Sequence, residues 1–382
     1  MNQNHLMSNE RVFVAGIGMH RYQFPSDTPY THLGLAAVRE ALADAGVPWH
    51  AVQAAYVGTT SIGMAAGKVM LQHLGSNGLE VVQVENASAS GSFAFRQACN
   101  AVALGLHDVV LAMGVDKHGA GQRAANKDGI EHLSPVETIP AVQFALLARR
   151  YLRQNGLGVE AMASVAVKNH ANAARNPFAQ YRKARTLDEI LRAPKVVGDF
   201  TVNQCCPRGE GAAAVVLMSE RALTRMGVGA GRAVRVLASV ACSEKPASSP
   251  WDPVTQMVAD SARAAYESAG IDPGDLDLVE LHDAFSAEEL MYCEAMGLCR
   301  PGEGFDYLRR GLSAIGGRCA INASGGLLGM GHPLGPTGIG QIAEITRQIR
   351  GEATGRQHPN ARLGMAHMIG LGTVGVAHIL SK

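Results

Sequence analysis

The order of apolar and polar positions along the chain predicts one α/β unit that occurs twice. Segment 39–57 carries a helical pattern that stops at an Ala-Gly pair, then a short loop, then an apolar strand. Segment 263–281 aligns with it without a gap and repeats the same order of elements. Each copy follows an apolar strand, at 11–19 and at 232–242. Two related α/β halves are the simplest interpretation of this repeat.

Later pieces of the two copies also correspond. Each contains an Asn-Ala-Ser turn before a helical pattern, at 86–88 and at 322–324. The stretch 117–201 breaks the correspondence with helices, prolines and a basic, Asn-rich passage. We therefore predict an N-terminal half over 1–230, with a lid inserted at about 117–201, and a C-terminal half over 231–382.

Composition limits the classes of function. With 382 residues, 47% of them hydrophobic, the chain can bury a large core. Lys and Arg number 34 against 33 Asp and Glu, without a basic block, so nucleic acid is not an expected partner. No apolar run approaches the roughly 18 residues of a membrane span, and the N-terminus lacks the apolar core of a secretory signal. Seven cysteines without a C-x-x-C pair indicate reduced thiols in a cytoplasmic protein, with no metal site.

Three turns carry side chains that could act on a substrate. Ser88 follows an apolar strand and precedes a helical pattern, where backbone N–H groups favour developing negative charge; a helix-capping serine is the alternative. His282 follows an apolar strand directly, at the end of a strand where open α/β sheets place function, although a structural histidine would also fit there. His332 lies in the loop 325–340, whose many glycines indicate close backbone approach to a ligand.

A fourth turn, near the C-terminus, contains Gly370 and Gly372 within a G-x-G-x-x-G pattern. Only seven residues follow this pattern, too few for the helix and second strand of a dinucleotide site. Ser88 likewise lacks the flanking glycines of the G-x-S-x-G turn of α/β-hydrolases. The sequence therefore predicts neither of these two site types.

Taken in order, the motifs of the chain resemble those of the thiolase superfamily, in the branch of sterol-carrier-protein thiolases and bacterial lipid-transfer proteins. These motifs are N-A-S-A-S-G-S, K-N-H, N-P-F-A-Q, C-C-P, H-D-A-F, N-A-S-G-G-L-L, G-H-P-L-G and the closing G-L-G. The resemblance implies a thiolase fold of the α/β class, with two duplicated halves in a five-layer α/β/α/β/α arrangement and an inserted lid. It also implies a homodimer, a coenzyme A thioester as substrate under the lid, and no bound cofactor.

The chain departs from that family at three positions. By the resemblance, Ser88 stands where thiolases carry the cysteine that becomes acylated. Ala284 replaces the acid/base cysteine of the sterol-carrier branch, and Met368 replaces that of ordinary thiolases. A thiolate exchanges acyl groups with coenzyme A at little free-energy cost, whereas a serine without a strong base beside it is a slow nucleophile whose oxoester resists transfer. The departures therefore favour a reaction without a covalent acyl intermediate.

The site residues that still match the family imply a site that stabilises an enolate. It implies that His332 donates to the thioester oxygen and that His282 holds a water donating to the same oxygen. The Ser88 N–H, with Gly370 or Gly372, would form a second oxyanion pocket.

Such a site suits a retro-aldol lyase, which cleaves a β-hydroxyacyl-CoA to a ketone or aldehyde and a short acyl-CoA. Relatives that lack the cysteine resemble aldolases of steroid side-chain degradation, which act with a small OB-fold, zinc-ribbon partner protein. A thiolase-type acyltransferase and a non-catalytic acyl-CoA-binding subunit are the alternatives.

Cations of the predicted lid are candidates for binding the phosphates of coenzyme A, because the family places this passage near coenzyme A. A solvated basic face is the alternative. The residues predicted to bind substrate or coenzyme A are Lys168, Arg182, Lys183, Arg185, Ser324 and Gly325.

Overall fold

A computed structural model describes residues 10–117, 140–229, 231–246, 252–371 and 374–382. The strands are β1 (Val12–Gln23), β2 (Ala54–Gly58), β3 (Glu80–Val84), β4 (Val109–Asp116), β5 (Lys195–Val197), β6 (Phe200–Thr201), β7 (Glu210–Ser219), β8 (Val234–Ser243), β9 (Leu278–Glu280), β10 (Ala320–Ile321), β11 (Leu363–Gly370) and β12 (Val374–Ser381). The helices are α1 (Tyr30–Ala45), α2 (Ala66–Leu71), α3 (Ser90–Ala103), α4 (Pro140–Gln154), α5 (Glu160–Ala173), α6 (Leu187–Leu191), α7 (Glu220–Met226), α8 (Pro253–Ala269), α9 (Ala287–Ala295), α10 (Gly304–Arg309), α11 (Gly326–Gly329) and α12 (Leu334–Arg350). Within these ranges, no helix is both long enough and apolar enough to cross a membrane.

The sheet shows the duplication directly. Ten of the described strands form one continuous sheet in the order β10-β9-β11-β12-β8-β1-β7-β4-β2-β3. The first half contributes β3-β2-β4-β7-β1 and the second half β10-β9-β11-β12-β8, with the same parallel and antiparallel neighbours at equivalent places. The halves join where Phe13 and Val14 of β1 pair with Arg235 and Val234 of β8. The predicted pair of related α/β halves is therefore confirmed.

The Ala-Gly stops of the repeat end equivalent helices. Gly46 follows α1 with φ of 66°, and Gly270 follows α8 with φ of 67°. Glycine adopts this left-handed conformation without the steric cost of a Cβ, so it ends a helix cleanly. The two stops thus turn the chain toward β2 and β9, which occupy equivalent places in the two halves.

Helices arrange the two halves of the sheet into layers. Helix α1 packs on β1, β4 and β7, and α8 packs on β8 and β12, while α3 and α12 lie between the halves. The apolar residues Ile339, Ile342 and Ile345 of α12 join one core with residues of both halves. The close approach of α12 to β4 requires small residues, because a Cβ on Gly114 of β4 would lie 2.3 Å from the carbonyl oxygen of Gly335. This is the predicted five-layer α/β/α/β/α arrangement.

The described part of the lid consists of α4, α5, α6 and the β5–β6 hairpin, and residues 118–139 of the predicted lid lie outside the described ranges. The Asn-rich passage attaches the lid to the second half through three buried amide side chains. Asn169 donates to Asp283 at 2.8 Å, Asn172 to the carbonyl of Asn322 at 3.0 Å, and Asn176 to the carbonyl of Ser324 at 2.9 Å. The asparagines are therefore explained by attachment of the lid rather than by a ligand.

Candidate active site

The turn that carries Ser88 is held in an unusual conformation. It connects β3 to α3, and Ala87 within it has φ of 47°, a left-handed conformation that costs free energy for any residue but glycine. The Ser90 hydroxyl stabilises the turn by accepting from the Asn86 N–H at 2.8 Å and donating to the Ala87 carbonyl at 2.6 Å. The residue at the N-cap of α3 is Ala89, so Ser88 is not a helix-capping serine. Its hydroxyl is left for another role.

That hydroxyl lies against a histidine of the other half. Ser88 Oγ is 3.1 Å from Nε2 of His332, although the two residues are 244 positions apart. On the other side of the ring, Nδ1 is 3.0 Å from the Thr337 hydroxyl. Thr337 uses its single hydroxyl proton on the carbonyl of Pro333, at 2.5 Å, so it accepts from Nδ1–H. In the neutral ring Nε2 therefore carries the lone pair, and Ser88 donates to it.

A second histidine stands beside the first. The rings of His282 and His332 are perpendicular, with centroids 5.5 Å apart. Nδ1 of His282 is 3.0 Å from the fully buried carboxylate of Glu288, which also accepts from the Tyr292 hydroxyl at 3.0 Å and from the Phe285 N–H at 2.7 Å. The carboxylate fixes the ring through Nδ1, and Nε2 is the ring atom that can meet a ligand.

Two thiols lie next to this histidine turn, which sequence reasoning missed. The Cys206 N–H donates to the carbonyl of Ala284 at 2.8 Å, and Cys205 pairs with Phe285 across a β-bridge. Burial, and then the charge of Glu288, raises the pKa of Cys205 to about 12, and burial likewise raises the pKa of Cys206. Burial therefore disfavours the thiolate form of both side chains.

The C-terminal strands approach the Ser88 turn closely. A Cβ on Gly370 would lie 2.5 Å from the carbonyl oxygen of Asn86, and Met368 packs with Ala89 in a small apolar cluster. His367 points away, with Nε2 2.8 Å from a serine hydroxyl of α8, and burial lowers its pKa to about 3, helped by His282. Gly370 is thus at the predicted site, while Gly372 lies outside the described residues.

Two family profiles cover most of the chain. The thiolase N-terminal domain matches residues 17–191, and the thiolase C-terminal domain-like family matches residues 239–382. The chain belongs to the thiolase superfamily. It is similar to sterol carrier protein 2 of Bos taurus, with 36% identity over 95% of this chain and 70% of that protein. It is similar to the benzoylsuccinyl-CoA thiolase subunit BbsB of Thauera aromatica, with 35% identity over 95% of each. Within the superfamily it falls in the sterol-carrier and lipid-transfer branch.

Solved structures agree on the fold. The Ltp2-ChsH2(DUF35) aldolase superposes with a TM-score of 0.84 at 24% identity, over 97% of both chains. Human mitochondrial 3-ketoacyl-CoA thiolase superposes with a TM-score of 0.75 at 17% identity, over 98% of this chain and 99% of that one. The protein is a thiolase-like acyl-CoA enzyme. The described residues contain no group of three or more His, Cys, Asp or Glu side chains placed to hold a metal ion.

The predicted coenzyme A residues of this thiolase-superfamily enzyme separate into two groups. Lys168 is half-buried, 3.0 Å from Glu289, and donates to the carbonyl of Ile321 at 2.5 Å. Ser324 is buried and donates its hydroxyl proton to Glu280 at 2.5 Å. Gly325 has a left-handed backbone conformation, and a Cβ at this position would collide with Ala173. The packing of α5 on α11 therefore requires glycine here. Each of the three has contacts within the protein, and their binding of coenzyme A stays a prediction.

The other three cations lie on the lid surface or close to it. Arg182 and Lys183 are exposed, and Lys183 is 3.4 Å from Glu189 in an exposed ion pair that contributes little to stability. Arg185 is half-buried, with its guanidinium 5.7 Å from the centre of the Tyr181 ring. Arg182 and Lys183 therefore remain candidates for phosphate contacts.

A buried carboxylate supports the His332 loop. Asp116, at the end of β4, is fully buried and accepts hydrogen bonds from both the loop after β2 and the start of α12. Its donors are the side chains of Thr59, Thr60 and Ser61 and the backbone N–H groups of Thr60, Ser61 and Gly335. The carboxylate therefore fixes the chain three residues after His332 against the first half.

Proposed function

We propose that the enzyme is a carbon–carbon lyase that cleaves a β-hydroxyacyl-CoA to a ketone or aldehyde and a shorter acyl-CoA. The observation that supports this reaction is the contact between Nε2 of His332 and the Ser88 hydroxyl, 3.1 Å apart, in which a neutral ring would present its lone pair to the hydroxyl. In thiolases of this branch that place holds a thiol, and here Ser88, Ala284 and Met368 supply none. A base poised toward a hydroxyl, without an acyl-accepting thiol, suits retro-aldol cleavage.

In the proposed reaction the β-hydroxyl of the substrate takes the place of the Ser88 hydroxyl at Nε2. His332 accepts the hydroxyl proton, the bond between the α and β carbons breaks, and the β carbon becomes a carbonyl. The electron pair of that bond forms the thioester enolate, and the proton on His332 returns to the α carbon. The atoms balance without a co-reactant. His332 therefore acts as the base, rather than as the donor to the thioester oxygen that the resemblance implied, because in the neutral ring its Nε2 holds no proton.

The enolate oxygen then needs other donors. Because Glu288 contacts Nδ1 of His282, Nε2 of that ring is left to hold a water whose O–H points at the enolate oxygen. The backbone N–H of Ser88, close to Gly370, is a second proposed donor. Donors fixed before the reaction stabilise developing charge without reorganisation, and one such donor is worth roughly 10² to 10³ in rate.

Assembly is proposed on the family pattern. We propose a homodimer, and a small OB-fold partner protein. The Ltp2-ChsH2(DUF35) aldolase, which superposes on this chain, pairs its thiolase-like chain with a DUF35 protein.

The test is turnover of β-hydroxyacyl-CoA thioesters of increasing bulk without added coenzyme A, beginning with 3-hydroxy-3-methylbutyryl-CoA. Mass spectrometry should detect a carbonyl product and a shorter acyl-CoA in equal amounts. Cleavage of β-ketoacyl-CoA that requires free coenzyme A would instead identify an acyltransferase. Binding without either turnover, with and without a co-expressed OB-fold partner, would identify a non-catalytic subunit.

Thr337→Val should lower kcat for carbonyl release about tenfold, or about 1.4 kcal/mol of barrier, because valine cannot accept the Nδ1 proton that sets the His332 tautomer. Thr346→Val is the matched control, since Thr346 lies farther along α12 and donates in the same way to the carbonyl of Ile342, at 2.8 Å. Thr337→Ser should restore the rate. An equal loss in both valine variants would show that Thr337 acts through packing alone.

Charge removal on the lid should weaken substrate binding. The double change Arg182→Gln, Lys183→Gln should raise KM roughly tenfold, about 1.4 kcal/mol of binding, with little change in kcat, because phosphate contacts are made equally in ground and transition states. The effect should fade as salt screens the charges. Arg192→Gln with Lys195→Gln, two exposed cations of the same lid, is the control pair. Unchanged KM at low salt would remove Arg182 and Lys183 from the site.

A further inference from the structure

We propose that the same site also hydrolyses simple acyl-CoA thioesters, through an ester formed on Ser88. This activity goes beyond the proposed lyase reaction, and it rests on the contact between Ser88 Oγ and Nε2 of His332, 3.1 Å apart. A hydroxyl hydrogen-bonded to a neutral imidazole nitrogen, whose other nitrogen is fixed by a third group, is the arrangement that activates serine as a nucleophile. Here Thr337 is that third group.

The local structure prepares Ser88 for this role. Its hydroxyl is not used in capping α3, and the side chain is only half-buried. The left-handed conformation of Ala87 holds Ser88 at the tip of a strained turn between a strand and a helix. The histidine that would receive its proton is 6% exposed, which limits competition from water for Nε2. The Ala89 and Ser90 N–H groups are used within the turn, on the carbonyls of Asn86 and Ala87, so the Ser88 N–H is the proposed donor to the oxygen of a tetrahedral intermediate.

The reaction has two balanced steps. In the first, His332 takes the Ser88 proton, Oγ attacks the thioester carbon, the carbon–sulfur bond breaks, and the proton passes to the departing sulfur as free coenzyme A. In the second, His332 takes a proton from water, the hydroxide attacks the Ser88 ester, and the proton returns to Oγ. The products are a carboxylic acid and coenzyme A, and the enzyme is unchanged.

The acyl group on Ser88 is expected to be transferred to water rather than to coenzyme A, because of the free energies of the two reactions. An oxoester lies below a thioester in free energy, so transfer of the acyl group from Ser88 back to coenzyme A is uphill. Hydrolysis of the ester is downhill and needs only the histidine already in contact with Oγ. A cysteine at position 88 would favour exchange with coenzyme A; the serine favours hydrolysis.

The geometry also predicts which thioesters are hydrolysed. A β-hydroxyl that occupies Nε2 of His332 displaces the Ser88 hydroxyl from its base, so a β-hydroxyacyl-CoA is directed to carbon–carbon cleavage. A thioester without a β-hydroxyl leaves Ser88 in contact with His332. Short unsubstituted acyl-CoA thioesters, which are also the products of the proposed cleavage, are the expected substrates for hydrolysis.

The experiment uses the full chain with acetyl-CoA and propionyl-CoA, and follows release of free thiol. We expect a burst of about one thiol per chain followed by slower turnover, the kinetic signature of an acyl-enzyme. After an acid quench, mass spectrometry should find one acyl group on the peptide that contains Ser88. Ser88→Ala should lower thiol release at least a hundredfold. Ser164→Ala is the matched control, because that serine lies on α5 and donates to a helix carbonyl at 2.7 Å.

Other results would overturn the proposal. Thiol release no faster than the uncatalysed rate, with no adduct, would exclude it. Thiol release by Ser88→Ala at the wild-type rate would show that water attacks the thioester directly. Carbonyl release from a β-hydroxyacyl-CoA is measured separately on the wild-type enzyme, so the lyase and hydrolase proposals can fail independently.

Discussion

His332→Ala should lower kcat for carbon–carbon cleavage by about 10² to 10³, while KM for the acyl-CoA stays within about threefold. The ring supplies the base, and the deletion removes an interaction that matters only as the proton is transferred. Since binding of coenzyme A uses other parts of the protein, ground-state binding should persist. Steady-state measurement of carbonyl release and of acyl-CoA binding separates the two quantities.

His282→Ala is the comparison variant for this result. Its loss should be smaller, because the proposed contact of His282 with the enolate oxygen passes through a water that can remain without the ring. Circular dichroism of both variants should match the wild type. If His332→Ala unfolds the protein, or leaves turnover of a confirmed substrate unchanged, the ring is structural and the proposed mechanism fails.

Asp116→Ala should reduce the free energy of unfolding by about 2 kcal/mol or more, since it leaves three backbone N–H groups without an acceptor, one of them buried and two of them half-buried, and a buried unsatisfied group costs about 1–3 kcal/mol. The three belong to Thr60, Ser61 and Gly335, so the change loosens the junction between β4 and the start of α12. Urea denaturation of the purified protein measures the loss. Activity should fall with stability, because Gly335 closes the loop that carries His332.

Two variants sharpen this prediction. Asp116→Asn keeps the shape of the side chain but replaces one acceptor oxygen with a donor, so it too should be destabilising. Asp306→Ala removes an exposed aspartate that pairs with Arg309 and Arg310, and it should change the free energy of unfolding by no more than about 0.5 kcal/mol. Similar stability in Asp116→Ala and Asp306→Ala would contradict the assignment of Asp116 as the link between the halves.

Local sequence patterns were sufficient to predict the architecture. The aligned helix, Ala-Gly stop and strand predicted the duplication because each unit must bury one apolar face, and the spacing of such faces is readable in the chain. The Ser88 turn was also predicted at its correct place between a strand and a helix. Thr337 and Glu288, five and six residues after His332 and His282, could have been found from the same turns, since each is near enough in sequence to fix its histidine.

Contacts between residues far apart in the chain could not be predicted from local sequence patterns. Lys168 looks like one more lid cation in the sequence, yet its half-buried ammonium group lies 3.0 Å from Glu289, because α5 packs on the second half. The thiols of Cys205 and Cys206 reach the His282 turn by pairing with residues about 80 positions later. Charge and residue type at one position do not reveal which distant element covers it.

By itself, the sequence determined that this protein has two α/β halves, that hydroxyl and imidazole groups stand at the turns of its site, and that no cysteine occupies the three family positions. Those properties follow from residue order and local spacing. Only the tertiary structure decided what the groups do together. It placed Ser88 Oγ 3.1 Å from Nε2 of His332 and directed the Thr337 hydroxyl proton to the Pro333 carbonyl, so that in the neutral ring Nε2 accepts rather than donates. A tautomer depends on partners brought together by folding, and no local pattern specifies it.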